Sequence, residues 1–361
     1  MQRFQFKLCD VHVDLIRTVA IMSVVLLHAV GRWPITSQEL GQLNASGMVS
    51  WVILLIYQCF ATFGVPLFLM LTGLLLLQPE KNESLRVFFK KRFTRICLPL
   101  LFWTIIYFIW DFFVIKFPFS MSTILQGVLN GAYTQFWYIY MLLGLYLLTP
   151  LLRVIIAHAS QTLIKYFLAL WFISVSILPF LSLLSPFLPN KNIFVITGYV
   201  GYFVLGIYLS SVQIRRRTAL FFMFLGTTLT ALGTYVLAAS NDVGGMYFFQ
   251  EYLSPTVICA SVMAFLLLLT IKPSAPSPTQ EVKPSIINKF LKLVSKNTLG
   301  IYFVHVIVIE SIQSGLLGFT LNRATLNPIL EIPLLMIITL IVSLCIILLL
   351  NKVPKLKNFV T

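Results

Sequence analysis

Ten apolar runs set the first constraint on this chain of 361 residues. They lie near 14–32, 49–77, 96–115, 136–156, 163–185, 193–210, 218–239, 252–271, 298–318 and 328–350. Most have the roughly 17 to 25 residues that a helix needs to cross a bilayer. In hydrocarbon the backbone must satisfy its own hydrogen bonds, so runs of this length fold as helices. Hydrophobic residues make up 59% of the chain and charged residues 10%, which leaves too little polar surface to coat a soluble domain. The expected fold is all-α: a polytopic integral membrane helical bundle of about ten transmembrane helices, one domain over residues 1–361, in the cell (plasma) membrane.

Lys and Arg orient the bundle, because short loops that carry them stay on the cytoplasmic side. Arg3 and Lys7 precede the first run, and Lys81, Arg86, Lys90, Lys91, Arg92 and Arg95 lie between the second and third. Arg153 and Lys165, then Arg215, Arg216 and Arg217, then Lys272, Lys283, Lys289, Lys292 and Lys296, and finally Lys352, Lys355 and Lys357 occupy the later alternate loops and the tail. The opposite loops hold only Arg32, Lys116, Lys191 and Arg323. Both termini are therefore expected in the cytoplasm. This asymmetry also accounts for most of the net charge of +15, so the expected partners are membrane lipids and not nucleic acid.

The first run carries Asp14 and Arg17 and is followed by Arg32 and Trp33, not by a small-residue cleavage site, so it is expected to stay in the protein. The five cysteines are scattered without metal-ligand spacing and are expected to be free and structural. There is no phosphate-binding loop, no GxGxxG fingerprint and no convincing internal repeat. The one shift in composition, IKPSAPSPTQEVKPS at 271–285, predicts a flexible cytoplasmic connector, taken to extend over the loop 272–296. Any chemistry must then lie inside the bundle.

Its candidates are the ionisable residues of the spans. In VDLIRTVAIMSVVLLHAVGRW, residues 13–33, Asp14, Arg17 and His28 fall within an arc of about 60° on a helix, so one face carries all three. A charge in hydrocarbon costs roughly 2.5 to 3.5 kcal/mol, which turns that face toward the bundle interior or a wet cavity. Asp14 and Arg17 read either as an i,i+3 ion pair at the headgroup boundary or as part of a site. His28, about 16 Å further along the helix, reads either as a packing residue or as a general base, since neutral imidazole can take a proton from a hydroxyl. Asp111 lies at a similar depth, either snorkelling beside Lys116 or orienting the imidazole. His305 and Glu310 rise in one span about 140° apart, so they are not expected to act on one group. The aromatic run QFWYIYMLLGLY, residues 135–146, with Trp137 and Tyr138, suits either an interfacial belt or a stacking platform for a sugar. GVPLFLMLTG, residues 64–73, predicts a kink or a close helix contact.

These pieces together resemble the acyltransferase 3 family of integral-membrane acyltransferases that modify surface and extracellular glycans. Arg17 and His28 stand in its Arg-x10-His pattern, and RFTR, Arg92 to Arg95, matches its Arg-x-x-Arg motif. GVPLFLMLTG, FWYIYMLLGLYLLTPLL and SKNTLGIYFVH look like its second-span, fourth-span and late-span signatures. The likeness covers nearly the whole chain and is strongest to stand-alone members. Some relatives carry an added extracytoplasmic hydrolase-like domain; here the chain ends shortly after the last apolar run, so this bundle is expected to complete the transfer alone or with a separate partner.

The resemblance implies that an acyl group, acetyl in most such proteins, moves from cytoplasmic acyl-CoA to a hydroxyl of a surface glycan or lipid-linked saccharide. Acyl-CoA is a co-substrate in this scheme and no cofactor is held permanently. Arg92, Arg95, Lys91 and Arg17 would hold its phosphates. His28, with Asp111, would be catalytic, either deprotonating the acceptor or carrying the acyl group itself. Trp137, Tyr138 and His305 would contact the acceptor. Two other readings use the same charges: a proton-coupled secondary transporter or flippase, and a non-enzymatic subunit for glycan export.

Overall fold

The computed structural model describes all residues except 1–8, 32–36, 79–82, 117, 119, 185–197, 241–242, 272–284, 323–324 and 361. Among the described residues there is no β-strand. The helices are α1 (Asp10–Val30), α2 (Ser37–Gly41), α3 (Ala45–Ala61), α4 (Gly64–Leu76), α5 (Leu85–Trp110), α6 (Met121–Asn130), α7 (Trp137–His158), α8 (Gln161–Phe172) and α9 (Leu178–Leu184). They continue as α10 (Val200–Leu209), α11 (Arg216–Ala239), α12 (Val243–Gln250), α13 (Pro255–Leu269), α14 (Ile286–Lys296), α15 (Thr298–Gln313), α16 (Pro328–Asn351) and α17 (Lys357–Val360). Polar punctuation between the apolar runs starts many of them. The side chains of Asn44, Ser84, Ser120, Ser160, Ser254 and Asn327 each accept a backbone N–H in the first turn of the following helix. Pro255 and Pro328 then sit where a missing N–H costs nothing.

The all-α membrane bundle is as expected, but its spans differ from a tally of apolar runs. Among the described residues eight stretches are long and apolar enough to cross a membrane, or nine if α14 and α15 count as one span despite the 80° bend between them. The run expected at 193–210 is partly outside the described residues, and α10 is only ten residues long, about 15 Å. The expected loop 272–296 is also corrected in part: residues 272–284 lie outside the description, while Ile286–Lys296 is a regular helix. Its apolar residues repeat at helical spacing, a signal hidden by the Pro- and Ser-rich stretch before it. No two cysteines are joined by a disulfide.

The bundle is organised around α1, which packs against α3, α4, α13, α14, α15 and α16. Ile16, Ala20, Ile21 and Val25 are completely buried. The outer surface is apolar instead: Leu101, Ile105, Leu151, Val154, Phe221 and Ile341 are all exposed, as lipid contact requires. Of the kink or close helix contact expected of GVPLFLMLTG, the structure shows the close contact. The helix breaks between Ala61 and Gly64, and Gly73 meets the backbone of Phe203 while Gly206 of α10 meets the backbone of Met70. These two glycines let α4 and α10 approach backbone to backbone, the small-residue contact of helices in lipid. Gly64 approaches the backbone of Ala20 and the side chain of Ser23 in the same way, locking α4 onto α1. A central α1 keeps both Arg17 and His28 inside the protein.

Candidate active site

The two ionisable ends of α1 open into two different cavities. At the Arg17 end a cavity of about 270 Å³ is lined by Arg17, Arg92, Arg95 and Lys296, with Tyr138, Tyr146 and Tyr302 among apolar side chains. No carboxylate lines it among the described residues. Arg92 and Arg95 are placed here by helix geometry: α5 begins at Leu85, so RFTR is helical and its arginines share a face at i,i+3 spacing. Arg92 is braced from behind, 3.8 Å from Glu83 and 5.5 Å above the Phe88 ring. Arg153 shares that brace, 4.0 Å from Glu83 and 4.8 Å from the same ring, with its Nε donating to the Leu76 carbonyl at 2.6 Å. Sequence reading assigned Arg153 only to topology; nothing in its local sequence shows that it meets Leu76, Glu83 and Phe88.

Two expectations for this end do not fit. Lys91 does not line the cavity: its side chain is 61% exposed and lies 3.5 Å from Glu83, because i−1 of a cavity-facing Arg points about 100° away. The ion-pair reading of Asp14 and Arg17 also fails, since no ion pair joins them among the described residues. Arg17 faces the cavity instead.

Near this cavity, α15, α5 and the turn Thr134–Phe136 are tied together by hydrogen bonds. Tyr302 lines the basic cavity and donates its hydroxyl to the Gln135 carbonyl. Gln135 donates through Nε2 to the Tyr107 hydroxyl at 2.7 Å, which donates to the Phe303 carbonyl at 2.8 Å. One turn beyond Tyr302 is His305, fully buried, its ring 4.9 Å from that of His28 at 66°. His305 Nδ1 lies 2.7 Å from the Tyr302 carbonyl. A carbonyl can only accept, so Nδ1 carries the proton and Nε2 keeps its lone pair. That Nε2 has no hydrogen-bond partner among the described residues. The contact between His28 and His305 joins residues far apart in the chain, and no local pattern announces it.

At the His28 end the cavity is larger, about 790 Å³, and lined by Trp51, Gln58, Tyr133, Trp137, Tyr247, Gln250, Glu251, Tyr252 and Glu310 as well as His28 itself. Gly31, with φ of 65°, stops α1 just past His28 and also lines the cavity. Glu310 accepts from Trp110 Nε1 at 2.8 Å and from the Tyr133 hydroxyl. The 140° between His305 and Glu310 thus sends one to His28 and the other to this pair. Trp137 stacks on Tyr252 at 5.7 Å and 26°, and Gln58 donates to Gln250 at 2.7 Å.

Trp137 and Tyr138, expected to act together, are divided between the cavities: Trp137 faces His28 and Tyr138 faces the arginines. Adjacent helical residues point about 100° apart, which is enough to send them to different cavities. Asp111 does not reach His28. It lies in the π-helical turn Asp111–Ile115 and lines a separate pocket with Phe108, Thr123 and Asn130. Shared depth in the membrane is not shared direction. Among the described residues the acids that face the His28 cavity are Glu251 and Glu310.

The chemistry on offer is therefore polarised. One cavity can hold a multiply charged anion, the other a polar group that stacks on aromatic faces, and a pair of imidazoles lies at the boundary. Among the described residues no group of His, Cys, Asp and Glu is placed to hold a metal ion. A family model described as an acyltransferase domain, from the acyltransferase 3 family, matches residues 10–348. No curated protein and no solved structure matches the chain.

Proposed function

The chain belongs to the acyltransferase 3 family and is a multi-pass membrane acyltransferase, and from that premise we propose that it moves an acyl group, acetyl in the first instance, from acyl-CoA to a hydroxyl of a glycan or lipid-linked saccharide. The reading rests on one observation. Arg17 and His28, on the same helix, open into a basic cavity and an aromatic, acidic one. In this reading the basic end faces the cytoplasm, where acyl-CoA is made, and the bundle lies in the plasma membrane with both termini inside.

Arg17, Arg92, Arg95 and Lys296 bind the phosphates of the donor, the guanidinium forks supplying paired N–H donors. Glu83 and Phe88 hold Arg92 in place, so less side-chain entropy is lost on binding. The thioester extends along α1 toward Tyr302 and the imidazole pair. On the other side, Trp137 and Tyr252 present a stacked aromatic surface to the saccharide, and Gln58, Gln250 and Glu251 present hydrogen-bonding groups. His28 takes the proton from the acceptor hydroxyl as its oxygen forms a bond to the thioester carbonyl carbon. The tetrahedral intermediate then collapses, the carbon–sulfur bond breaks, and the CoA thiolate leaves with the proton that His28 returns. His305 packs against His28 and orients it. Its own tautomer is set by the Tyr302 carbonyl.

The test is CoA release from purified protein in liposomes, supplied with acetyl-CoA and a panel of saccharide acceptors, for the wild type and His28→Ala. Release that requires an acceptor and disappears in a folded His28→Ala protein is the expected result. A wild type that neither binds acyl-CoA nor releases CoA with any acceptor would overturn the reading and favour a carrier.

A further inference from the structure

α14 is built for a partner that the transfer reaction does not supply. Its sequence, IINKFLKLVSK, divides cleanly on a helical wheel. Lys289, Lys292 and Lys296 fall within about 60° of one another, and the six apolar residues occupy the opposite side. Ile286, Ile287, Phe290 and Leu293 are all exposed. The 80° bend at Asn297 turns α14 across the direction of α15, so a spanning α15 leaves α14 near the plane of the bilayer surface.

The elbow is firmly made. Asn297 donates to the Leu293 carbonyl at 2.8 Å and accepts from Asn351 of α16 at 3.1 Å. The Thr298 hydroxyl donates to the Ser295 carbonyl at 2.9 Å. Thr18 of α1 ties the middle of α14 through the Leu291 carbonyl at 3.2 Å. Bound at its C-terminal end and apolar along an exposed face, α14 matches a helix that buries one side among acyl chains while its lysines reach the headgroups. Lys289 and Lys292, on one exposed face, select a negative surface. Ser295 and Lys296, at the end of the same helix, line the basic cavity.

We propose that α14 docks on an anionic lipid leaflet and that this contact positions one wall of the basic cavity. The docking half stands on the helix alone; the effect on the cavity rests on the acyl-CoA reading above. Lys289→Gln/Lys292→Gln removes two headgroup contacts and leaves Lys296 in the cavity.

Hydrogen exchange of the full-length protein in lipid nanodiscs tests the docking. The amides of α14 should exchange more slowly with phosphatidylglycerol than with phosphatidylcholine, by a factor on the order of ten. The double variant should lose that difference while α15 and α16 stay unchanged. Equal exchange in the two lipids, or a difference that survives in the variant, would overturn the docking. Binding of CoA to the same nanodiscs tests the coupling. The double variant should bind CoA several-fold more weakly than the wild type in phosphatidylglycerol and equally well in phosphatidylcholine. A loss of the same size in both lipids would mean that the lysines act on CoA directly, and would overturn the coupling. If α14 responds to lipid but wild type binds CoA in neither membrane, it is the acyl-CoA reading that fails and the docking stands.

Discussion

The cavity at the Arg17 end and the cavity at the His28 end share one helix but are made differently. The first is small and gathers four cations with no facing acid among the described residues. The second is about three times larger, has two glutamates, and offers aromatic faces and amides. A site with a surplus of positive charge, here offset only in part by Glu83 behind Arg92, is costly in a low-dielectric bundle and is stabilised when an anion fills it. Stacked rings and hydrogen-bonded amides carry no such debt, and they suit a neutral polar ligand. The contrast teaches that the two ends differ in the chemistry they offer, and in the proposed function that difference assigns donor and acceptor to opposite ends with the imidazole pair between them.

Substitutions should separate the two ends, and the largest effect is expected at their boundary. His28→Ala should lower turnover by roughly 10² to 10⁴ while leaving acyl-CoA affinity within about twofold. A parallel loss of affinity, measured by equilibrium binding, would mean that His28 belongs to the donor site and that the division is wrong. Next comes Arg95→Ala. Hydrogen bonds to a charged group contribute roughly 1.5 to 3 kcal/mol, so KM for acyl-CoA should rise about tenfold to a hundredfold with kcat and the acceptor KM little changed.

A smaller effect is expected on the opposite side. Trp137→Leu removes a stacked ring, and aromatic pairs contribute roughly 0.5 to 1.5 kcal/mol beyond their area. Its acceptor KM should rise about twofold to tenfold, with acyl-CoA unaffected. A change confined to acyl-CoA would reverse the assignment of the two cavities. The smallest effect should come from Lys91→Gln, whose own side chain is 61% exposed and does not line the cavity. Acyl-CoA KM should stay within about twofold, and a larger rise would show that the donor extends over the outer face of α5.

Much of this division can be read along α1. The spacing of Arg17 and His28 puts them on one face of any helix, and the arginines of RFTR, once helical, share a face for the same reason. Asp111 and Lys91 show where such reading stops. Each has the right residue type and roughly the right depth, yet Asp111 turns into another pocket and Lys91 toward Glu83. Direction around a helix is periodic and local, but what stands in that direction belongs to other helices. His305, expected to contact the acceptor, is instead fully buried against His28 and does not line the cavity there, because α15 packs on α1. Arg153, Trp110 and Tyr133 likewise acquire partners only through packing.

The amino-acid sequence by itself determined that this chain is an all-α membrane protein, that charge is concentrated at alternate loops, and that one face of α1 carries Arg17 and His28. Those properties follow from apolar run length, the cost of unpaired backbone in hydrocarbon and the 100° step of a helix, all of which act within a segment. Only the tertiary structure decided that α1 is the axis of the bundle, that Trp137 and Tyr138 face different cavities, that His305 meets His28, and that α14 turns through 80° instead of continuing as a loop. In lipid every outward face is apolar, so hydrophobic pattern loses its power to say which face is inside. Close glycine contacts and buried hydrogen bonds between distant segments make that choice.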